Sequence, residues 1–182
     1  LENGIVKVHP QMRSIIRQFG ADGWINAIFP YEEGGQQLPW TLHLSAGFIL
    51  QAANYSASVF PFLTTGAANL IRTFGSSALR DAYTPKMYTG EWQGTMALTE
   101  PDAGSSLSDL TTIAIPTSKE GVYSIRGQNI YISAGDHDAC DNVIHLMLAR
   151  IEGAPAGTKG ISLFVVPKIR LDGTPNDVLT QG

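Results

Sequence analysis

Cysteine occurs once among the 182 residues, at Cys140, so no disulfide can close within the chain and a reducing setting such as the cytoplasm is expected. With no base placed persuasively beside it in the sequence, that thiol reads as a small hydrophobic side chain rather than a nucleophile. Charge is sparse as well. Charged residues make up 15% of the chain, the formal net charge is −4, and the Lys and Arg residues are scattered, so nucleic acid is not an expected partner. Every long apolar run is broken by Gly, Pro or a polar residue, which excludes a membrane-spanning helix. The N-terminus, LENGIVKVHP, lacks the basic start and apolar stretch of a signal peptide and lacks an initiating Met, so the chain is expected to begin inside a longer protein. A Walker loop, a GxGxxG fingerprint and a Ser-His-Asp elbow are all missing, and any dinucleotide would be bound in a non-Rossmann manner. Asp136, His137, Asp138, Cys140, Asp141 and His145 crowd together in sequence but follow no zinc-ligand spacing, so no metal is expected.

The residues that are present describe a globular chain, 43% hydrophobic and long enough for one good core or two small domains. Met12, Ile15, Ile16 and Phe19 fall at helical spacing after Pro10 and before Gly20, which predicts an amphipathic helix. Trp24 to Pro39 loses that period and reads as a loop. From Pro39 to about Tyr55, apolar residues surround the helix rather than stripe it, as in a helix buried between neighbours. A further helix is predicted over Ala57 to Thr73, and another begins at a Ser76 or Ser77 cap and runs to Pro85, with a short turn to Gly90. Beyond Gly90 the period changes to short β-rich runs: Gln93–Thr99, Thr111–Pro116, Val122–Arg126, Asn129–Ser133, Val143–Arg150 and Gly160–Pro167. These patterns predict an α+β chain, with an all-α domain over residues 1–92 followed by an antiparallel β-barrel or sandwich domain over 93–182.

Met96 to Ser106, MALTEPDAGSS, carries the most information. It starts as a short apolar strand and turns sharply where Pro101 restricts the backbone and Gly104 frees it. The amides from Ala103 to Ser106 and the hydroxyls of Thr99, Ser105 and Ser106 suit a ligand rich in acceptors, although the same residues also make a plain capped turn.

LTEPDAGSS resembles the flavin-binding signature of the acyl-CoA dehydrogenase family, and Gln128 to Ser133 (QNIYIS) is similar to that family's second flavin-contacting strand. The two are separated as the family separates them. Phe29–Leu38 (FPYEEGGQQL) and Phe74–Gly94 resemble the family's N-terminal loop and the segment leading into the signature. Gly135–Lys168 most resembles a long bacterial branch that includes methylthiopropionyl-CoA dehydrogenases.

The resemblance implies FAD as cofactor and an acyl-CoA thioester as substrate. It implies that Met96, Ala97, Leu98 and Thr99 meet the pyrimidine side of the flavin, and that Gly104 and Ser105 lie near the pyrophosphate, with Ser105 also touching acyl-CoA. Tyr131, where relatives often carry Trp, would pack on the flavin ring with Ile132 beside it. Ser133, where relatives often carry Thr, would hydrogen-bond the nitrogen that accepts hydride. Simple period-2 alternation would also put Tyr131 and Ser133 on one sheet face. Ser106 departs from the family's usual Asp. Glu100 and Asp102 are not read as an acid–base pair, since the resemblance gives them structural roles. It also implies a catalytic carboxylate in a C-terminal helical domain that this chain does not reach, an electron-transferring flavoprotein as electron acceptor, and a homodimer or dimer of dimers. The chain alone is therefore expected to be inactive. A flavin-fold relative that binds acyl-CoA or another partner without dehydrogenating it, and an acyl-CoA oxidase, remain the alternatives.

Overall fold

A computed structural model describes residues 5–177. Helices come first. α1 spans Gln11–Ala21, a 3-10 turn covers Tyr31–Glu33, α2 spans Trp40–Phe74 and α3 spans Ser77–Tyr88. The strands follow: β1 (Trp92–Ala97), β2 (Ile113–Pro116), β3 (Tyr123–Arg126), β4 (Asn142–Ile151) and β5 (Ile161–Pro167). The succession of a helical part and a sheet is the α+β arrangement the period change predicts.

α2 is two helices joined at a break. Asn54 adopts φ −159 and ψ 96, and its Oδ1 accepts the Ala57 amide at 3.0 Å, so the residue that ends the first segment caps the second. That is the division expected between Tyr55 and Ala57. Eight of the ten buried residues of α2 lie after the break, from Ala57 to Ile71; before it only His43 and Gly47 are buried. The first segment was expected to be buried between neighbours and is not. Trp40, Leu42, Leu44 and Ile49 are exposed and Phe48 is 76% exposed, so its apolar residues face outward. At the start of α3, Ser76 accepts the Leu79 amide at 3.3 Å, the cap that the sequence indicates.

The sheet order is β1-β4-β2-β3, with β5 also paired to β4. β2 and β3 form an antiparallel hairpin in which Ile113 faces Arg126 and Pro116 faces Tyr123. β2 and β4 run parallel, with Ile113 opposite Arg150, so the sheet is mixed where an all-antiparallel one was expected. The reason is that β3 reverses the chain relative to β2 and the connection over residues 127–141 reverses it again, so β4 reaches the other edge of β2 running in its direction. No strand forms over Asn129–Ser133. Tyr131 and Ala134 have φ +57 and +52, which turn the chain out of the extended conformation.

The chain divides into two compact units. The first holds the chain through Thr95, Ala134–Ile144 and the residues from Pro167 onward. Its core gathers Ile16, Ile25, Phe29, Ala68, Ile71 and Met87, with the Phe29 and Tyr88 rings 5.3 Å apart and the Thr65 hydroxyl donating to the Ile25 carbonyl at 2.8 Å. The second holds Met96–Ser133 and His145–Val166, around Ala97, Ala103, Leu110, Ala114, Leu146 and Ala149. β1 and β4 each run from one unit into the other. Among the described residues no helix is long and apolar enough to cross a membrane.

Candidate functional site

All nine residues singled out for the cofactor fall in the second unit. Met96 and Ala97 end β1, with Met96 exposed and Ala97 buried, as alternation along a strand requires. Leu98 and Thr99 then leave the strand. The Thr99 carbonyl accepts the Ile130 amide at 2.8 Å and the Asn129 side-chain amide at 3.4 Å. These two bonds join Thr99 to Asn129 and Ile130, although they lie far apart in sequence.

Past Thr99 the chain reverses over Pro101 and Asp102. The Glu100 amide donates to the Ala103 carbonyl at 2.7 Å and the Ala103 amide returns to the Glu100 carbonyl at 3.3 Å. Gly104, Ser105 and Ser106 emerge from this turn exposed. A Cβ built on Gly104 would find only Thr99 Cγ2, at 3.9 Å, so the space above that backbone is open. Ser106 Oγ lies 3.0 Å from Ser108 Oγ.

Tyr131 is 90% exposed and stands at φ +57, an uncommon backbone state for an aromatic residue. Ser133 is also exposed, while Ile132 is half-buried. Because the segment is not a strand, Tyr131 and Ser133 are not related by alternation on a sheet face; a turn presents them instead. The exposed ring of Tyr131 is a stacking face, and the exposed hydroxyls of Ser105 and Ser133 with the open backbone of Gly104 are donors, the kinds of group that suit a flat, acceptor-rich dinucleotide such as FAD.

Glu100 is buried. It is 3% exposed, and its carboxylate accepts bonds from Thr111 and Thr112. Burial opposes its charge, but those hydrogen bonds prevail and hold its pKa below the ordinary carboxylate value. Thr111 and Thr112 were not marked from sequence as partners. Arg150 was also missed: from β4 it donates to the carbonyls of Pro155 at 2.6 Å, Gly157 at 2.8 Å and Ser108 at 3.3 Å, binding two loops. A basic residue inside an apolar strand was the available signal. In the first unit, the carboxylates of the 136–141 stretch are taken up in ion pairs: Asp136 with Lys168, Asp138 with Lys7, and Asp141 with Arg13 and Arg17.

Residues 5–91 match the family model described as acyl-CoA dehydrogenase, N-terminal domain. The chain is similar to 3-methylmercaptopropionyl-CoA dehydrogenase of Ruegeria pomeroyi, 43% identical over 93% of this chain and 29% of that protein. It is also similar to a butyryl-CoA dehydrogenase of Syntrophomonas wolfei, 42% identical over 82% of this chain and 25% of that one. Its fold matches the structure of an acyl-CoA dehydrogenase complexed with FAD from Bacillus anthracis, with a TM-score of 0.73, 24% identity, and coverage of 87% of this chain and 26% of that chain. The chain thus spans under a third of the length of these relatives.

Proposed function

We propose that this chain, which belongs to the acyl-CoA dehydrogenase family, forms part of an FAD-dependent enzyme that dehydrogenates an acyl-CoA thioester between its α and β carbons. The observation that supports this reading is the pair of bonds to the Thr99 carbonyl, which ties Asn129 and Ile130, just before the exposed Tyr131, to the segment that leads into the open backbone of Gly104. Bound FAD would supply the hydride acceptor for the β hydrogen. The residues of this chain hold and orient. The backbone of Met96, Ala97 and Leu98, with Thr99, meets the pyrimidine edge, where donors stabilise negative charge. Gly104 and Ser105 meet the pyrophosphate, and Ser105 also meets the acyl-CoA. Tyr131 and Ile132 fix the plane of the ring, and the Ser133 hydroxyl donates to its hydride-accepting nitrogen.

In this reading residues 1–92 form the helical domain and 93–182 the flavin-facing domain, and no residue of the chain serves as the catalytic base. Taken alone, the chain is inactive. The whole enzyme passes electrons to an electron-transferring flavoprotein, works in the cytoplasm in β-oxidation-type metabolism, and assembles as a homodimer or dimer of dimers. Purified full-length protein is expected to carry FAD and to lose its flavin absorbance on anaerobic addition of a suitable member of an acyl-CoA panel. A protein that bound no FAD, and bleached none with any acyl-CoA, would overturn the reading.

Tyr131 gives a sharper check. Because its ring is almost fully exposed, Tyr131→Gly sacrifices little packing and relieves the positive φ, so stability is expected to rise by about 1 kcal/mol. The same change removes the stacking face, and FAD affinity is expected to fall by about tenfold, equivalent to roughly 1.4 kcal/mol. Thermal unfolding of the apoprotein and a fluorescence titration with FAD read the two effects. A loss of both stability and affinity would point instead to a packing role for the ring.

A further inference from the structure

The turn that presents Gly104 and Ser105 has a free outer side and a buried tether, and both meet at Glu100. The backbone of Glu100 closes the turn through its two bonds with Ala103. Its side chain runs the other way, into the interior of the second unit. Oε2 accepts the Thr111 amide at 2.8 Å and the Thr111 hydroxyl at 2.5 Å, and Oε1 accepts the Thr112 amide at 2.9 Å.

The anchor at the far end is stiff. The Thr112 carbonyl accepts the Arg150 amide of β4 at 2.9 Å, and Gly127 packs so tightly over Thr112 that a Cβ there would collide with its Oγ1. Neither Thr112 nor Gly127 can shift without disturbing its neighbours. A carboxylate is suited to this place because each of its oxygens accepts and neither donates, and three donors converge on it.

We propose that Glu100 is a positioning residue: resting on the flavin reading above, its carboxylate fixes the height and tilt of the Ala103–Ser105 backbone against β2, and so sets how well that backbone meets the cofactor. It touches no reacting atom. Its effect passes through the turn, and therefore appears in cofactor affinity and in the environment of the flavin.

Glu100→Gln tests this with almost no change of shape. One oxygen becomes an NH2 group, which must face either the two donors of Thr111 or the amide of Thr112, so at least one bond is replaced by two opposed donors. In full-length apoprotein at low temperature, where the variant stays folded, the Kd for FAD is expected to rise at least tenfold. The bound flavin should also show a shifted absorption band. Thr111→Val removes only the hydroxyl donor of an exposed residue and is expected to raise the Kd about threefold; it carries the test if Glu100→Gln does not fold. A purely structural role would lower the thermal midpoint of either variant while leaving the FAD Kd and the flavin spectrum at the wild-type values, and that result would overturn the proposal. Wild-type protein that bound no FAD would instead remove the flavin reading itself, and this proposal with it.

Discussion

Gly94→Val is expected to destabilise the protein by about 3 kcal/mol or more, enough to lower the thermal midpoint by roughly 10 °C in a chain of this size. The cause is local crowding. Gly94 lies in β1 where that strand presses on α2 and α3, and a Cβ there would meet Ala67 Cβ at 2.5 Å, Met87 Cε at 2.9 Å and Thr64 Cα at 3.1 Å. The Met87 side chain can swing aside, but Ala67 Cβ and Thr64 Cα move only with the helix. The helix is in turn tied to the strand: the Gly94 amide donates to Thr64 Oγ1 at 3.1 Å, and the Gln93 side chain donates to the Phe60 carbonyl at 2.7 Å. The smaller change Gly94→Ala, paired with Ala67→Gly, should cost less than the sum of its two members, because the second removes the nearest clash of the first. Calorimetry on the three variants checks this. A Gly94→Val protein that melted within about 2 °C of the parent would show that β1 and α2 are less closely packed than these distances require.

Acid is expected to remove about 3 kcal/mol of stability through His137. This imidazole is buried beside the Phe60 ring, with centroids 4.9 Å apart, and its Nδ1 accepts the Ala139 amide at 3.2 Å. The proton of the neutral form therefore sits on Nε2. Burial disfavours the cation and outweighs the opposing pull of Asp136 and Asp138, so the pKa falls from 6.5 to about 4, helped by Lys168 and Arg13. The unfolded chain binds this proton more readily than the folded one. The contribution of His137 is thus fully present above pH 6.5 and is lost as the pH falls towards 4. His43, also shifted downward by burial, adds in the same direction. Denaturant unfolding at about pH 7 and about pH 4.5 should show the fall, and His137→Gln, whose side-chain oxygen can still accept the Ala139 amide, should flatten it. An equal fall in both proteins would assign the acid sensitivity to other groups.

Local patterns in the sequence foretold much of the molecule because local physics made it. The stripe of α1, the Ser76 cap, the division of α2 near Tyr55 and the β2–β3 hairpin each depend on residues within a turn or two of one another. What escaped depends on partners remote in sequence. The parallel pairing of β2 with β4 needs the course of residues 127–141, which periodicity does not record. Nor does it record that Glu100 would find its donors at Thr111 and Thr112. The outward-facing apolar residues of the first half of α2 mislead for a related reason: hydrophobicity all round a helix predicts burial without naming what covers it. Of the candidate site, the turn over Pro101 and Asp102 was legible in residue types, although it closes at Ala103 and does not use a positive φ at Gly104. The positive φ of Tyr131 was not, since neither Tyr nor its neighbours announce such a conformation.

The break at Asn54 also bears on how the molecule opens. A continuous helix lets fraying at one end travel inward turn by turn, because each lost hydrogen bond loosens the next. Here the ladder is interrupted, and the Asn54 side chain occupies the Ala57 amide at the start of the second segment. Excursions of the sparsely buried first segment therefore stop at this residue. The amides before it can exchange with solvent through local opening, whereas those from Ser58 to Ile71, packed in the core, wait for a larger unfolding event.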